Sequence, residues 1–141
     1  MRIYIAALFS SRARLREVRN ELEALGHRVT ASWLDDETQG PVFEEYRNAW
    51  RKSVAIRDIT EIKSSNCIIL DTLDPVSDGR EVEWGVALTR MEMKRYIVGP
   101  NRSVFHNLAH QSFVGWEQLL RYFSREDTDV TVHRSVESPL A

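Results

Sequence analysis

The chain has 141 residues, 43% of them hydrophobic and 28% charged, with a formal net charge of −2. That length and balance predict one domain with its own core, and the charge points to neither a nucleic-acid polymer nor another polyanion as partner. No apolar run approaches the roughly 18 residues of a membrane span, so no membrane partner is expected. The one cysteine, Cys67, allows no internal disulfide and suits a reducing, cytoplasmic setting.

Residues 3–9 form an apolar run rich in strand formers. It is short for a signal peptide, and basic residues rather than a cleavage site follow it, so a first strand is expected. Ser10 and Ser11 can cap the next element, where Leu15, Val18, Leu22 and Leu25 share one helical face and Gly26 ends the helix. Val29, Ala31 and Trp33 alternate, which predicts a second strand over 27–33. An acidic, turn-rich loop follows. Helical spacing returns over about 42–62, with Phe43, Tyr46, Trp50, Val54 and Ile62 as core candidates.

The run "NCIILDT" at 66–72 reads as a strand buried on both faces. A loop then leads to a helix over 80–94, a strand over 95–100, an irregular stretch with one short helical turn over 101–114, and a closing helix over 115–123. Residues 124–141 are polar and read as a flexible tail, leaving residues 1–123 as the folded domain. Strand and helix alternate throughout. This predicts an α/β fold with a doubly wound, mostly parallel sheet flanked by helices, of the Rossmann or flavodoxin-like kind. Ligands of such sheets bind beyond the carboxyl ends of the strands.

Three of the loops expected at that edge carry polar groups. Ser10, Ser11 and Arg12 open the first helix, where unpaired N–H groups favour an anion and the guanidinium suits phosphate; an ordinary serine cap is the plainer reading. Ser77 and Gly79 open the third helix. Within that helix Glu83 borders an apolar stripe that includes Val82 and Val86, as a reactive carboxylate would, although an acid near a helix start also favours the dipole. Glu81 suits the dipole role better. Asp58 lies at the edge of the face made by Ile56, Ile59 and Ile62, either as a surface acid beside Arg57 or as part of a site. Tyr4, inside the first strand, could hold a carboxylate or simply fill the core. Trp33 and Trp50 could stack on a base or pack inside. His27, His106, His110 and His133 show no metal spacing, and no acyl-transfer motif is present, so neither metal nor cofactor is expected.

Together these stretches resemble the nucleoside 2-deoxyribosyltransferase family, closest to its 2′-deoxynucleoside 5′-phosphate N-hydrolase branch. The segments are "RIYIAALFSSRARLREVRNELEALGHRVTASWL", "RDITEIKSSNCIIL", "GREVEWGVAL" and "RYIVGPNRSVFHNL". The resemblance covers about residues 2–123 and is most specific in the E-x-G-x-A core of "EWGVA". It implies Glu83 as nucleophile, Tyr4 as the residue that aims it and keeps it ionised, and Asp58 as the holder of the sugar hydroxyls. Ser77 falls where the N-hydrolases bind phosphate. His106 falls on a loop that in the family completes a neighbouring subunit's site, where Asn or Ser is usual. Ala7 stands where the family often has Gly. The resemblance thus implies a homodimer or higher homo-oligomer, with apolar surface available at Phe105, Phe113 and Trp116.

The implied reaction is hydrolysis of the N-glycosidic bond of a (deoxy)nucleoside 5′-monophosphate to free base and sugar phosphate. Base exchange between deoxynucleosides is the alternative within the fold. A non-catalytic nucleotide-binding sensor is the alternative outside it.

Overall fold

The computed structural model describes residues 1–37 and 40–125. Five strands form one sheet: β1 (Arg2–Ala6), β2 (Arg28–Val29), β3 (Cys67–Asp71), β4 (Lys94–Val98) and β5 (Gln111–Phe113). Four helices flank it: α1 (Arg12–Ala24), α2 (Glu44–Lys63), α3 (Asp78–Leu88) and α4, which covers 116–125 of the described chain. Every strand pair is parallel, in the order β2-β1-β3-β4-β5. The predicted α/β fold is therefore present, with the flavodoxin-like order. That order reverses direction between β1 and β3, and the crevice beyond their carboxyl ends is the expected ligand position.

The two central strands are apolar because both of their faces are covered. All five residues of β3 are buried, as are Ile3, Tyr4, Ile5 and Ala6 of β1. Leu15, Val18 and Leu22, the apolar face of α1, join the same core. Among the described residues no helix is long and apolar enough to cross a membrane.

Several elements differ from expectation. β2 pairs over only two residues, and Ser32–Asp35 forms a 3-10 turn instead. Trp33 explains the early break: its indole N–H donates to the Ile5 carbonyl, 2.8 Å away, which draws the ring in over the end of β1. β5 is a strand that the sequence did not predict. α3 stops at Leu88 rather than running to 94, because the Thr89 hydroxyl turns back to the Val86 carbonyl at 2.6 Å. Arg90 then caps the other end of the layer, donating to the carbonyls of Ile62, Lys63 and Ser65 at 3.3, 2.6 and 2.8 Å.

α2 departs furthest. Only Ile62 of its predicted core positions is buried, while Phe43 and Tyr46 are 69% and 61% exposed. Trp50 and Val54 are half-buried and face a cavity. Ser124 and Arg125, assigned from sequence to the tail, continue α4; residues 126–141 lie outside the described residues.

Candidate active site

A cavity of about 310 Å³ opens beyond the carboxyl ends of β1 and β3. Its volume is at the lower end of the range for small-molecule sites. Three elements supply its chemistry. The end of β1 gives Ala7 and Phe9, the middle of α2 gives Trp50, Arg51, Val54 and Asp58, and the start of α3 gives Ser77, Gly79, Arg80 and Glu83. Trp33 and Asp36 close the wall between β1 and α2.

Tyr4, wholly buried in β1, donates its hydroxyl to Glu83 Oε2. Two effects oppose each other at that carboxyl. Burial favours the neutral acid and dominates, while the Tyr4 hydrogen bond favours the anion; Asp58 and Glu61 add further repulsion. The balance pushes the Glu83 pKa up to about 8. Tyr4 thus aims the group but does not by itself keep it ionised, a correction to the sequence expectation. Burial, with Glu83, Asp58 and Glu61 nearby, also raises Tyr4 well above the ordinary phenol range, so its hydroxyl remains a donor.

Asp58 is held from its own helix. Arg57 donates to Asp58 Oδ1 from Nε and Nη2 at 3.2 and 3.1 Å, and makes a two-pronged pair with Asp36 at 3.0 and 2.9 Å. The guanidinium pulls the Asp58 pKa down, yet burial outweighs it and the net direction is up. Among the described residues only Oδ1 takes a hydrogen bond, so the other oxygen can accept from a ligand hydroxyl.

The aromatic wall is also braced. Gly40 has φ +123°, and a Cβ there would lie 2.5 Å from Trp50 Cε3, so backbone packs flat against the indole. Phe9 and Trp33 lie with ring centroids 6.4 Å apart. Among the described residues, no group of three His, Cys, Asp or Glu residues lies close enough to hold a metal ion.

Asp58, Ser77, Gly79 and Glu83 line one cavity, and Tyr4 lies behind its wall, hydrogen-bonded to Glu83. It does not bring Ser10, Ser11 and Arg12 into the lining. Ser10 is exposed, Ser11 donates to Asp74 Oδ2 at 2.8 Å, and the Arg12 guanidinium lies over the Phe9 ring at 4.3 Å. His106 is corrected as well. Its ring is wholly buried in its own chain: Nδ1 accepts from the Arg102 N–H at 2.9 Å, and Nε2 meets both Glu81 oxygens at 2.8 and 3.1 Å. An imidazole so engaged cannot reach a neighbour's site. Glu81 stands in the first turn of α3, as expected of an acid that favours the dipole, and its partly exposed carboxylate also meets His106. Gly85 is exposed on α3 and Ala87 sits in the core, so neither lines the cavity. Sequence reasoning missed Arg80, Arg57 and Asp36.

No protein-family model matches the chain, and no curated protein matches it in sequence at a significant level. Solved structures do. A 2-deoxyribosyltransferase from the psychrotolerant bacterium Bacillus psychrosaccharolyticus superposes with a TM-score of 0.66 at 23% identity, over 85% of this chain and 90% of that one. The chain has the fold of a 2-deoxyribosyltransferase. The CMP N-glycosidase BcmB of Clostridium botulinum has the same fold, with a TM-score of 0.59 at 19% identity, over 88% of this chain and 98% of that one. The resemblance read in the sequence named the same kind of enzyme as the first of these. At such identities the likeness is one of fold, and the chemistry rests on the cavity's own residues.

Proposed function

We propose that the chain is an N-glycosidase that cleaves a (deoxy)nucleoside 5′-monophosphate through a glutamate nucleophile. The carrying observation is the Tyr4–Glu83 hydrogen bond at the wall of a cavity that also presents Asp58. Breaking a C1′–N bond develops positive charge on the sugar, which a carboxylate can both stabilise and attack. Glu83 forms a C1′–O bond as the C1′–N bond breaks, the electron pair leaves with the base, and the base takes up a proton. Water then adds to C1′ as the Glu83–C1′ bond breaks, its proton passes to solvent in exchange for the one the base took up, and sugar 5-phosphate leaves with Glu83 restored as a carboxylate. Asp58 receives the sugar hydroxyls. Phe9, Trp33 and Trp50 offer faces to the base, and Ser77 and Gly79 lie at the phosphate end.

Incubation with nucleoside 5′-monophosphates, followed by chromatography of free base, tests this reading. Release of base by the wild type and its loss in Glu83→Ala are expected; unchanged release in that variant overturns it. Binding without turnover would instead identify a nucleotide sensor. The fold shared with a 2-deoxyribosyltransferase favours base exchange as the second reading, and an added acceptor base would then yield a new nucleoside.

Self-association belongs to the same proposal. Phe113 and Trp116 are buried in the core, but α2 and the turn before it expose Val42, Phe43, Tyr46 and Ile56. Val42, Phe43 and Tyr46, exposed together around the start of α2, suit contact with a second copy of the chain, and sedimentation at micromolar concentration checks it. The substrate class and the single cysteine fit a cytoplasmic enzyme.

A further inference from the structure

Among the described residues two arginines, Arg51 and Arg80, border the cavity, and they differ in what they can offer a ligand. Arg80 is almost wholly buried. Its Nε faces Glu81 Oε1 at 3.6 Å, and its Nε and Nη1 are closed off from solvent with no hydrogen-bond partner among the described residues. Arg57 lies close by but is held by Asp36 and Asp58. Arg51 is exposed, and it takes part in no hydrogen bond or ion pair among the described residues. Its own helix explains this. The residues three and four away on α2 are Arg47, Asn48, Val54 and Ala55, and none is an acid. The described residues thus leave all five N–H donors of its guanidinium unused.

The place of Arg51 along α2 decides which part of a nucleotide it meets. It precedes Asp58 by seven residues, close to two helical turns, so the two share one face and stand about 10 Å apart along the axis. Asp58 and Glu83 take the sugar. The separation exceeds a furanose ring, so what lies beside Arg51 is a group attached to the sugar. Trp50 adjoins Arg51 and lines the same cavity. A flat indole suits a base and offers a phosphate nothing.

At the edge of a base a guanidinium is selective. Its fork matches two adjacent acceptors, as at guanine O6 and N7. Cytosine presents such a pair at N3 and O2. Adenine sets its amino donor beside N7, and in thymine and uracil the N3–H donor separates the two acceptors.

We propose that Arg51 selects the base: its guanidinium fork binds the edge of guanine or cytosine, where two acceptors adjoin, while Trp50 stacks on the ring. This deepens the glycosidase reading and rests on it for the position of the sugar. Arg51 is a specificity residue and takes no part in the bond-breaking step.

The experiment measures kcat/KM for the 2′-deoxynucleoside 5′-monophosphates of guanine, cytosine, adenine and thymine, in wild type, Arg51→Met and Arg51→Lys. Wild type should favour guanine and cytosine on the order of 10-fold or more, the discrimination that one two-pronged arginine contact supplies. Arg51→Met keeps the stem without the fork, and the preference should shrink to within about threefold. Arg51→Lys keeps the charge as a single point and should retain only part of it. Arg51 is exposed and unpaired among the described residues, so both variants should melt as wild type does. Equal use of all four bases by wild type overturns the proposal, and so does a preference that survives in Arg51→Met. A loss of equal size for all four in Arg51→Met would place the guanidinium on the phosphate and overturn it as well.

Calorimetric titration of Glu83→Gln with the same four nucleotides reads the preference without turnover. Tighter binding of the guanine and cytosine nucleotides, lost in the double variant with Arg51→Met, supports the role of Arg51 even if wild type cleaves none of them and the glycosidase reading fails. Cleavage with no such preference leaves the glycosidase and removes this inference. Failure to bind or cleave any of the four removes both.

Discussion

The loops that follow β1 and β3 invite comparison, because both open a helix at the same edge of the sheet with serine and arginine at hand. Their polar groups are used differently. In the first, Ser11 is spent on Asp74, and the terminal nitrogens of Arg12 donate to the carbonyls of Phe9 and Glu37 at 3.4 and 3.0 Å. Only Arg12 Nε is left over, on a side chain that is half-buried outside the cavity lining. In the second, Arg80 is buried at the cavity with most of its donors unmatched, and Glu83 follows one turn later. A helix start with the right residues is therefore not yet a binding site.

The sharpest way to break this contrast is at Glu83. Glu83→Ala should reduce base release on the order of 10³-fold or more, as for loss of a covalent nucleophile, while the protein keeps its far-ultraviolet dichroism. The next effect is on pH. A nucleophile must be ionised, so kcat/KM should climb as pH rises through about 8, the pKa to which burial pushes Glu83. Tyr4→Phe removes the hydrogen bond that favours the anion and should move that limb to higher pH. Asp58→Asn removes a repelling charge and should move it lower.

Stability has the same origin with the opposite sense. The folded protein holds a proton on Glu83 that the unfolded chain releases above about 4.5, so stability is lost as pH rises from 4.5 to about 8. Glu83→Gln should abolish that loss, gaining roughly a few kcal/mol at pH 8 at about 1.4 kcal/mol per unit, read as a higher melting temperature. Smaller still, Ser77→Ala should cost about 1 kcal/mol through the lost cap and lower the nucleotide-to-nucleoside preference. Ser11→Ala should cost about as much stability for its hydrogen bond to Asp74 yet leave that preference within about twofold. If Ser11→Ala instead matched Ser77→Ala in selectivity, the distinction between the two loops would fall.

What was legible in the chain follows from what each signal depends on. The continuous apolar runs of β1 and β3 and the 3-4-3 spacing of α1 report local burial, and they led to the right fold. Glu83 came through the E-x-G-x-A core and Tyr4 and Asp58 through the wider resemblance; Asp58 and Glu83 line one cavity and Tyr4 is hydrogen-bonded to Glu83 from behind. β5 was not legible because it is three residues long, and Gln111 and Ser112 are exposed on an edge strand. The stripe on α2 misled because Phe43 and Tyr46 have core-like spacing but stay mostly exposed among the described residues. Arg80 was missed for a related reason: a charge at a helix start reads as solvated, and only the packing of α3 against the loop reveals that water is shut out. His106 misled through alignment, since its place in sequence says nothing about Glu81 receiving it.

The hydrogen bond between Tyr4 and Glu83 joins residues 79 positions apart, one on the first strand and one on the third helix. Local structure alone cannot form it, because the loop-closure entropy is recovered only when β1 and β3 have paired and α3 has docked. Assembly of the cavity is then a late event in folding, and under the proposed function recovered turnover after dilution from denaturant should lag the return of helix signal. The protein carries in one phenol–carboxylate contact a reporter of whether its whole centre has assembled.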